Sequence, residues 1–247
     1  MTHTLTEFDL VSVQAVLSHW FDGDQQVNYK TKWFPEGSTG LQAIADHEVN
    51  TKFGSLFSDA LCRKLQHWQC ETKSCVALII VLDQFSRHIC RLYGKELMQD
   101  KQKLADELAL DIAQRLHSSE EKTLGLSIPE YVFSLMPLRH TATVDHLSHV
   151  LECLQKKERV EEKSMELLNR FRKQTTRRLQ HLQDREKVIQ TCTFALMRCH
   201  RRSRIHFHRK HHPPPTTHHT DNNLHISYLS LHNSWRPLLI FSKEKHS

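Results

Sequence analysis

The sequence predicts an all-α fold, a bundle or short solenoid of antiparallel helical hairpins, followed by a disordered C-terminal tail. Three observations predict it. Only six of 247 residues are glycine and seven proline, three of the prolines being consecutive, while Leu, Ala, Glu, Lys and Gln are abundant. Apolar residues recur at helical spacing as far as Lys187. Beyond Cys192 that pattern gives way to a segment holding ten of the twenty histidines.

The formal charge of +6 describes neither part of this chain. Residues 193–247 carry nine Lys plus Arg against two Asp plus Glu, which leaves 25 basic against 26 acidic groups in the first 192 residues. Any argument for nucleic acid from overall charge therefore rests on the tail. Residues 1–155 hold 14 basic against 20 acidic groups, whereas residues 156–192 sum to +5. Three segments follow: a helical domain over 7–155, a basic helical extension over 156–190, and a low-complexity, His-rich tail over 191–247.

Seven cysteines at positions without framework spacing, and no signal peptide before them, point to reduced thiols and a cytoplasmic protein. The longest apolar run, Val76 to Leu82, is far short of the ~20 residues a spanning helix needs, so no membrane partner is expected.

The elements follow in order. Thr6 is a candidate N-cap for a first helix carrying Phe8, Leu10, Val11, Val13, Val16, Leu17, Trp20 and Phe21, which Asp22-Gly23-Asp24 stops. A second helix runs from about Leu41 through Ile44, Val49, Phe53, Phe57, Leu61 and Leu65. Ser74 is a candidate cap for a third, Cys75 to Leu92, apolar on nearly every side through Leu82; such all-round hydrophobicity marks a helix surrounded by others. A strand is the alternative for the β-branched run alone, but the polar periodicity through Arg91 favours a helix. Leu104, Leu108, Ile112 and Leu116 describe an amphipathic surface helix. Ser118 to Glu121 opens a short helix, and Pro129 suits the first turn of another reaching about Leu138. From Asp145 a longer segment begins, and Lys156 to Lys187 reads as a final basic helix. Trp20, Trp33 and Trp68 read as core anchors.

The stretch from Leu82 to Arg91 is where chemistry is expected. Asp83 and Arg87 are spaced i,i+4, so their side chains can meet, and Gln84, His88 and Arg91 form an adjacent polar stripe. Ionisable groups beside a buried segment must be paired. One reading is a partly buried structural pair; the other is a cleft in which Arg87 or Arg91 binds an anion or a peptide terminus. His140, which follows Met136-Pro137-Leu138-Arg139, is the remaining candidate. The sequence has no Gly-rich phosphate loop, no Gly-x-Ser-x-Gly, no paired Cys-x-x-Cys and no His-Glu-x-x-His, so no cofactor is expected.

These residues carry a resemblance. His19-Trp20-Phe21, Asp46-His47-Glu48-Val49 through Phe53-Gly54, Trp68, the Leu82 to Arg91 stretch, and Met136-Pro137 with His140 make the chain from about Val16 to Leu154 resemble the domain of unknown function 924 family. The Leu-Asp-Gln-Phe-x-Arg string after an Ala-Leu-Ile-Ile run is its specific part. The resemblance implies a tetratricopeptide-like helical fold and no assigned activity. Ser86, His88 and Arg139 depart from the residues usual there, in the manner of a divergent eukaryotic branch, so a shared ligand does not follow. A Lys/Arg-rich helix also replaces the family's closing Phe-Gly-Arg-Phe-Pro-His-Arg-Asn segment, as in a truncated member.

Arg170, Arg172, Lys173, Arg177 and Arg178 on the final helix read either as an RNA or acidic-partner surface or, preferably, as a solvated face. The tail histidines, with Cys192 and Cys199, fit no ordinary Cys/His spacing, so no metal site is expected. Pro213 to His219 suits translation of a C- and A-rich tract, and the tail reads as retained intron or shifted frame.

The leading functional expectation is a helical binding or scaffold domain whose groove near Asp83, Gln84, Arg87, Arg91 and His140 holds a protein partner or small anionic ligand. Its rivals are an enzyme using His140 and Asp83 for acid/base chemistry on a small polar substrate, and an accessory part of a larger nucleotide-dependent RNA-modifying protein.

Overall fold

The computed structural model describes residues 4–23, 28, 32–33, 39–161 and 166–210, and every element among them is helical. The chain divides into two compact units, 1–194 and 195–247. In the first, α1 (Glu7–Phe21) starts where Thr6 predicts: its side chain caps the Asp9 amide while the Asp9 carboxylate returns to the Thr6 amide at 2.9 Å, a reciprocal capping box. Asp9 is then used twice, since Oδ1 accepts from the buried Trp68 indole at 2.8 Å. Burial opposes its ionisation, but the hydrogen bonds from Thr6, Trp68 and His67 outweigh it and hold the carboxyl well below its usual range. This one side chain thereby ties the start of α1 to the 3₁₀ turn Gln66–Cys70.

α2 (Thr39–Leu61) follows, then α3 (Thr72–Ile79), a π-helical turn (Ile80–Phe85) and α4 (Ser86–Tyr93) in one continuous helical run. The Val76 to Leu82 run is a helix, not a strand, and every residue from Ser74 to Ser86 is buried. Ser74 is not its cap. Helix α3 begins at Thr72 after Glu71, and the Ser74 hydroxyl donates to the Trp68 and Glu71 carbonyls inside the first turn. The π turn is the feature periodicity cannot reveal, because its wider ring changes the helix phase without changing residue type.

α5 (Lys95–His117) buries Ala105, Leu108, Ala109, Ile112, Ala113 and Leu116, close to the predicted stripe, although Leu104 faces outward. The short α6 (Glu120–Leu124) precedes α7 (Ile128–Ser134), whose start is fixed by a Ser127–Glu130 capping box with Pro129 in the first turn. The expected single helix to Leu138 breaks at Leu135, and α8 (Met136–Thr141) restarts with Pro137, which has no amide to extend α7. α9 (Val144–Val160) and α10 (Glu166–Lys210) replace the expected helix from Lys156 to Lys187. Among the described side chains of α10, Leu168, Phe171 and Thr175 are buried, and Leu168 and Phe171 join the core. The helix runs past Cys192 to Lys210; the tail from 211 onward, with most of its histidines, lies outside the described residues.

The core gathers where α1, α2 and the π turn meet. Trp20, Trp33 and Trp68 are buried there. Trp20 lies edge-on to Phe85 and Phe133, and Phe53 stacks on Phe85 with centroids 4.6 Å apart. α2 packs against the π turn and α4, while α5 packs against α4 and α8. Asp83, Arg87 and His140 are thus carried on elements that converge on α5. No helix among the described residues is long and apolar enough to cross a membrane.

Candidate functional site

The expected residues fall into two clusters on successive turns of the same helical run. In the first, Asp83 is 1% exposed and its Oδ1 lies 2.8 Å from His140 Nδ1 and 3.2 Å from Arg87 Nη2. The Gln84 amide donates to Oδ2. Burial opposes ionisation of Asp83, but the charges and hydrogen bonds of His140 and Arg87 outweigh it and keep the carboxyl below its ordinary range. Arg87 Nη2 also reaches Asp106 Oδ1 at 2.8 Å, and Gln102 holds Asp106 at 2.9 Å and Ser86 Oγ at 3.1 Å.

His140 Nδ1 lies 2.9 Å from Arg87 Nη2 as well as beside Asp83. A guanidinium only donates, so a protonated Nδ1 can bond the carboxylate but not the arginine. The buried carboxylate has the greater need of a donor, which places a proton on Nδ1 and, when the ring is neutral, leaves Nε2 as the acceptor. The ring's other nitrogen, Nε2, then makes no hydrogen bond to a described residue, and the side chain remains 25% exposed. A fixed imidazole with one free nitrogen can accept a hydrogen bond or relay a proton.

Arg91 does not join this cluster. It makes a two-pronged contact with the buried Asp46 of α2, Nε at 3.1 Å and Nη2 at 2.8 Å, while Gln42 supports Asp46 at 2.8 Å. His88 belongs with it: Nδ1 sits 2.8 Å from Asp46 Oδ1, and the ring lies edge-on to Trp20. Burial pushes the His88 imidazole down to about 4, with Arg91 adding to the effect and Asp46 opposing it, so the ring is neutral near pH 7. The polar stripe expected of Gln84, His88 and Arg91 is therefore split, because the π turn sends Gln84 toward Asp83 while α4 sends the other two toward α2.

The two clusters nevertheless share one surface. Arg87 and Arg91 both line a pocket of about 560 Å³ between α4 and α5, with Lys103, Asp106, Gln102 and Thr141 around it and Met98, Cys90 and Leu110 as its apolar wall. The Nη1 groups of both arginines make no hydrogen bond to a described residue, and Lys103 is held only loosely by Glu107 at 4.0 Å. Among the described residues, no three His, Cys, Asp or Glu side chains gather as a metal site.

Sequence reasoning missed Asp106, Gln102 and Asp46. Gln102 and Asp106 do sit at i,i+4 on a helix already read as amphipathic, which was the available signal. It also missed Lys157, a buried amine donating to the Leu124 and Leu126 carbonyls at 2.8 and 2.7 Å, beyond the end of α6. No local pattern announces that role.

The model of a family described as bacterial protein of unknown function (DUF924) matches residues 16–209. A solved structure described as a protein of unknown function, ATU0120 from Agrobacterium tumefaciens, is similar over 70% of this chain and 84% of that one. Its TM-score is 0.51 at 17% identity, a likeness of fold alone. Among curated proteins, none matches this sequence.

Proposed function

The chain belongs to the DUF924 family, whose description assigns no activity, and from its own side chains we propose that it is a helical binding domain for a small anionic ligand. The observation that carries this reading is the pocket between α4 and α5, where Arg87, Arg91 and Lys103 line one apolar-walled space. Both guanidinium groups are held from behind, Arg87 by Asp83 and Asp106 and Arg91 by Asp46, so each is oriented before a ligand arrives while its Nη1 stays uncommitted. A carboxylate or phosphate would use those two donors, and the wall of Met98, Cys90 and Leu110 would take its hydrocarbon part. Six free cysteines among the described residues, three of them exposed, agree with a reducing, cytoplasmic setting.

A second reading rests on the Asp83–His140 pair. A buried carboxylate orienting an imidazole whose outer nitrogen is free is the arrangement of a general base, and the π turn that supplies Asp83 is a form often retained at functional sites. That reading requires the bound anion to extend past Thr141, which lines the pocket, to its neighbour His140, which does not; the anion is then a substrate and His140 Nε2 moves its proton.

Thermal-shift titration with a panel of phosphates, sulfate, dicarboxylates and organic phosphates tests binding. A ligand at a hundred times its Kd stabilises by about 2.7 kcal/mol, which for a domain of this size raises Tm by roughly 5–10 °C. The rise should be saturable and should vanish in Arg87→Gln. Lys103→Gln, on the exposed side of the pocket, should weaken binding without loss of fold. A panel without effect, or a shift that survives both substitutions, would contradict the proposal.

A further inference from the structure

We infer a second binding site, for an acidic peptide segment, in the cleft between α5 and the turn that follows α2. Two adjoining pockets of about 620 and 580 Å³ share Gln69, Ile112 and Arg115, so they form one elongated groove. It shares no lining residue with the pocket beside Arg87.

The groove's cations are arranged along it. Arg63 and Lys64 line one pocket, Lys122 lines the other, and Arg115 stands in both, Lys64 being paired with Asp59 at 2.8 Å. Arg115 is already positioned, its guanidinium bonded to Asp111 at 2.8 Å and to the Gln69 amide oxygen at 2.9 Å. Arg63 and Lys122 make no ion pair or hydrogen bond through their side chains among the described residues. The acidic residues facing the groove are Asp111, which Arg115 occupies, and Glu71.

Arg63 is held there at a backbone cost. The Lys64 amide bonds the Asp59 carbonyl and the Arg63 amide bonds the Ala60 carbonyl, both at 3.0 Å, the paired pattern that ends a helix with one left-handed residue. That residue is Arg63, at φ 60°, where glycine is the ordinary choice. An unpaired arginine thus stands at the position of the turn that least favours a side chain.

An acidic peptide fits this groove better than nucleic acid does. Leu78, Leu82 and Ile112 form an apolar floor, which suits peptide side chains between acidic ones. Apart from His67, already 2.9 Å from Asp9, no aromatic ring lines either pocket, so bases have no stacking platform.

The test is fluorescence anisotropy of the full chain with a fluorescein-labelled heptapeptide alternating glutamate with leucine, beside a single-stranded RNA oligonucleotide of seven nucleotides. Saturable peptide binding is expected, weakened at least tenfold in Arg63→Gly/Lys122→Gln and unchanged in Arg87→Gln. Arg63→Gly alone should raise Tm while it weakens binding, because glycine relieves the left-handed residue. Absence of saturable peptide binding, an unchanged affinity in the double variant, or tighter RNA binding lost in that variant would each overturn the inference.

Discussion

Replacing Asp83 by Asn keeps the shape of the side chain and removes its charge, at a position 1% exposed. In the native protein Oδ1 receives His140 and Arg87, and Oδ2 receives Gln84. An amide offers one accepting oxygen, so its nitrogen must face one of these donors, losing a charge-assisted hydrogen bond worth about 1.5–3 kcal/mol. Breaking one partner of a buried pair costs about 3–5 kcal/mol. Arg87 is 31% exposed and keeps Asp106, which places the expected loss at the lower end, about 2–3 kcal/mol. Urea unfolding at pH 7 measures it as a lowered midpoint at unchanged slope. The pH dependence supplies a second signature. The native carboxyl lies below its ordinary value, so its contribution is present above about pH 4 and is lost as pH falls through the lower native value. The difference between wild type and Asp83→Asn should therefore shrink on acidification below pH 4. A variant within about 0.5 kcal/mol of wild type at pH 7 would refute the reasoning.

Other expectations follow from the same kind of accounting. Burial holds His117 at about 3 and His88 at about 4, against about 6.5 unfolded, so the unfolded chain binds more protons between those values and stability falls as pH drops below about 6.5. His117→Gln, which can keep the 2.9 Å contact to Ser134, should flatten part of that decline in urea midpoints measured at pH 7, 5 and 4. Lys157→Met preserves the buried stem but strips the donors from two carbonyls, costing about 1–3 kcal/mol per unsatisfied group, visible as a lower Tm. Arg91→Gln removes the two-pronged partner of Asp46 and should cost about 2 kcal/mol, the half-exposed guanidinium limiting the effect, while also lowering affinity for the anion in the thermal-shift assay.

Much of the helical framework was legible because it rests on local rules. Thr6 followed by Asp9, and Ser127 followed by Glu130, are capping boxes whose chemistry is complete within four residues. The burial of the Val76 to Leu82 run follows from its having no polar face. What escaped depends on longer reach. The π turn, whose Phe85 lies edge-on to Trp20, leaves no mark on the spacing of Asp83 and Arg87. The split between Arg87 and Arg91 depends on Asp46, more than forty residues away, as their 45-residue separation shows. The break between α9 and α10 falls in a polar stretch with neither glycine nor proline to signal it. Asp83 and His140 are expected from the sequence to share one groove, but their direct contact is not, because nothing local relates residues 57 apart.

The most direct test of binding beside α4 and α5 is a nitrogen-edited NMR titration with the strongest anion from the thermal-shift panel. It would follow the Nε–H signals of Arg87 and Arg91 together with the His140 ring nitrogens. Binding in the pocket predicts that the Arg87 and Arg91 signals move saturably with one common dissociation constant, that His140 Nε2 responds with them, and that Arg115 stays still. Shifts confined to other arginines, or an Arg87 signal unmoved at saturation, would contradict it.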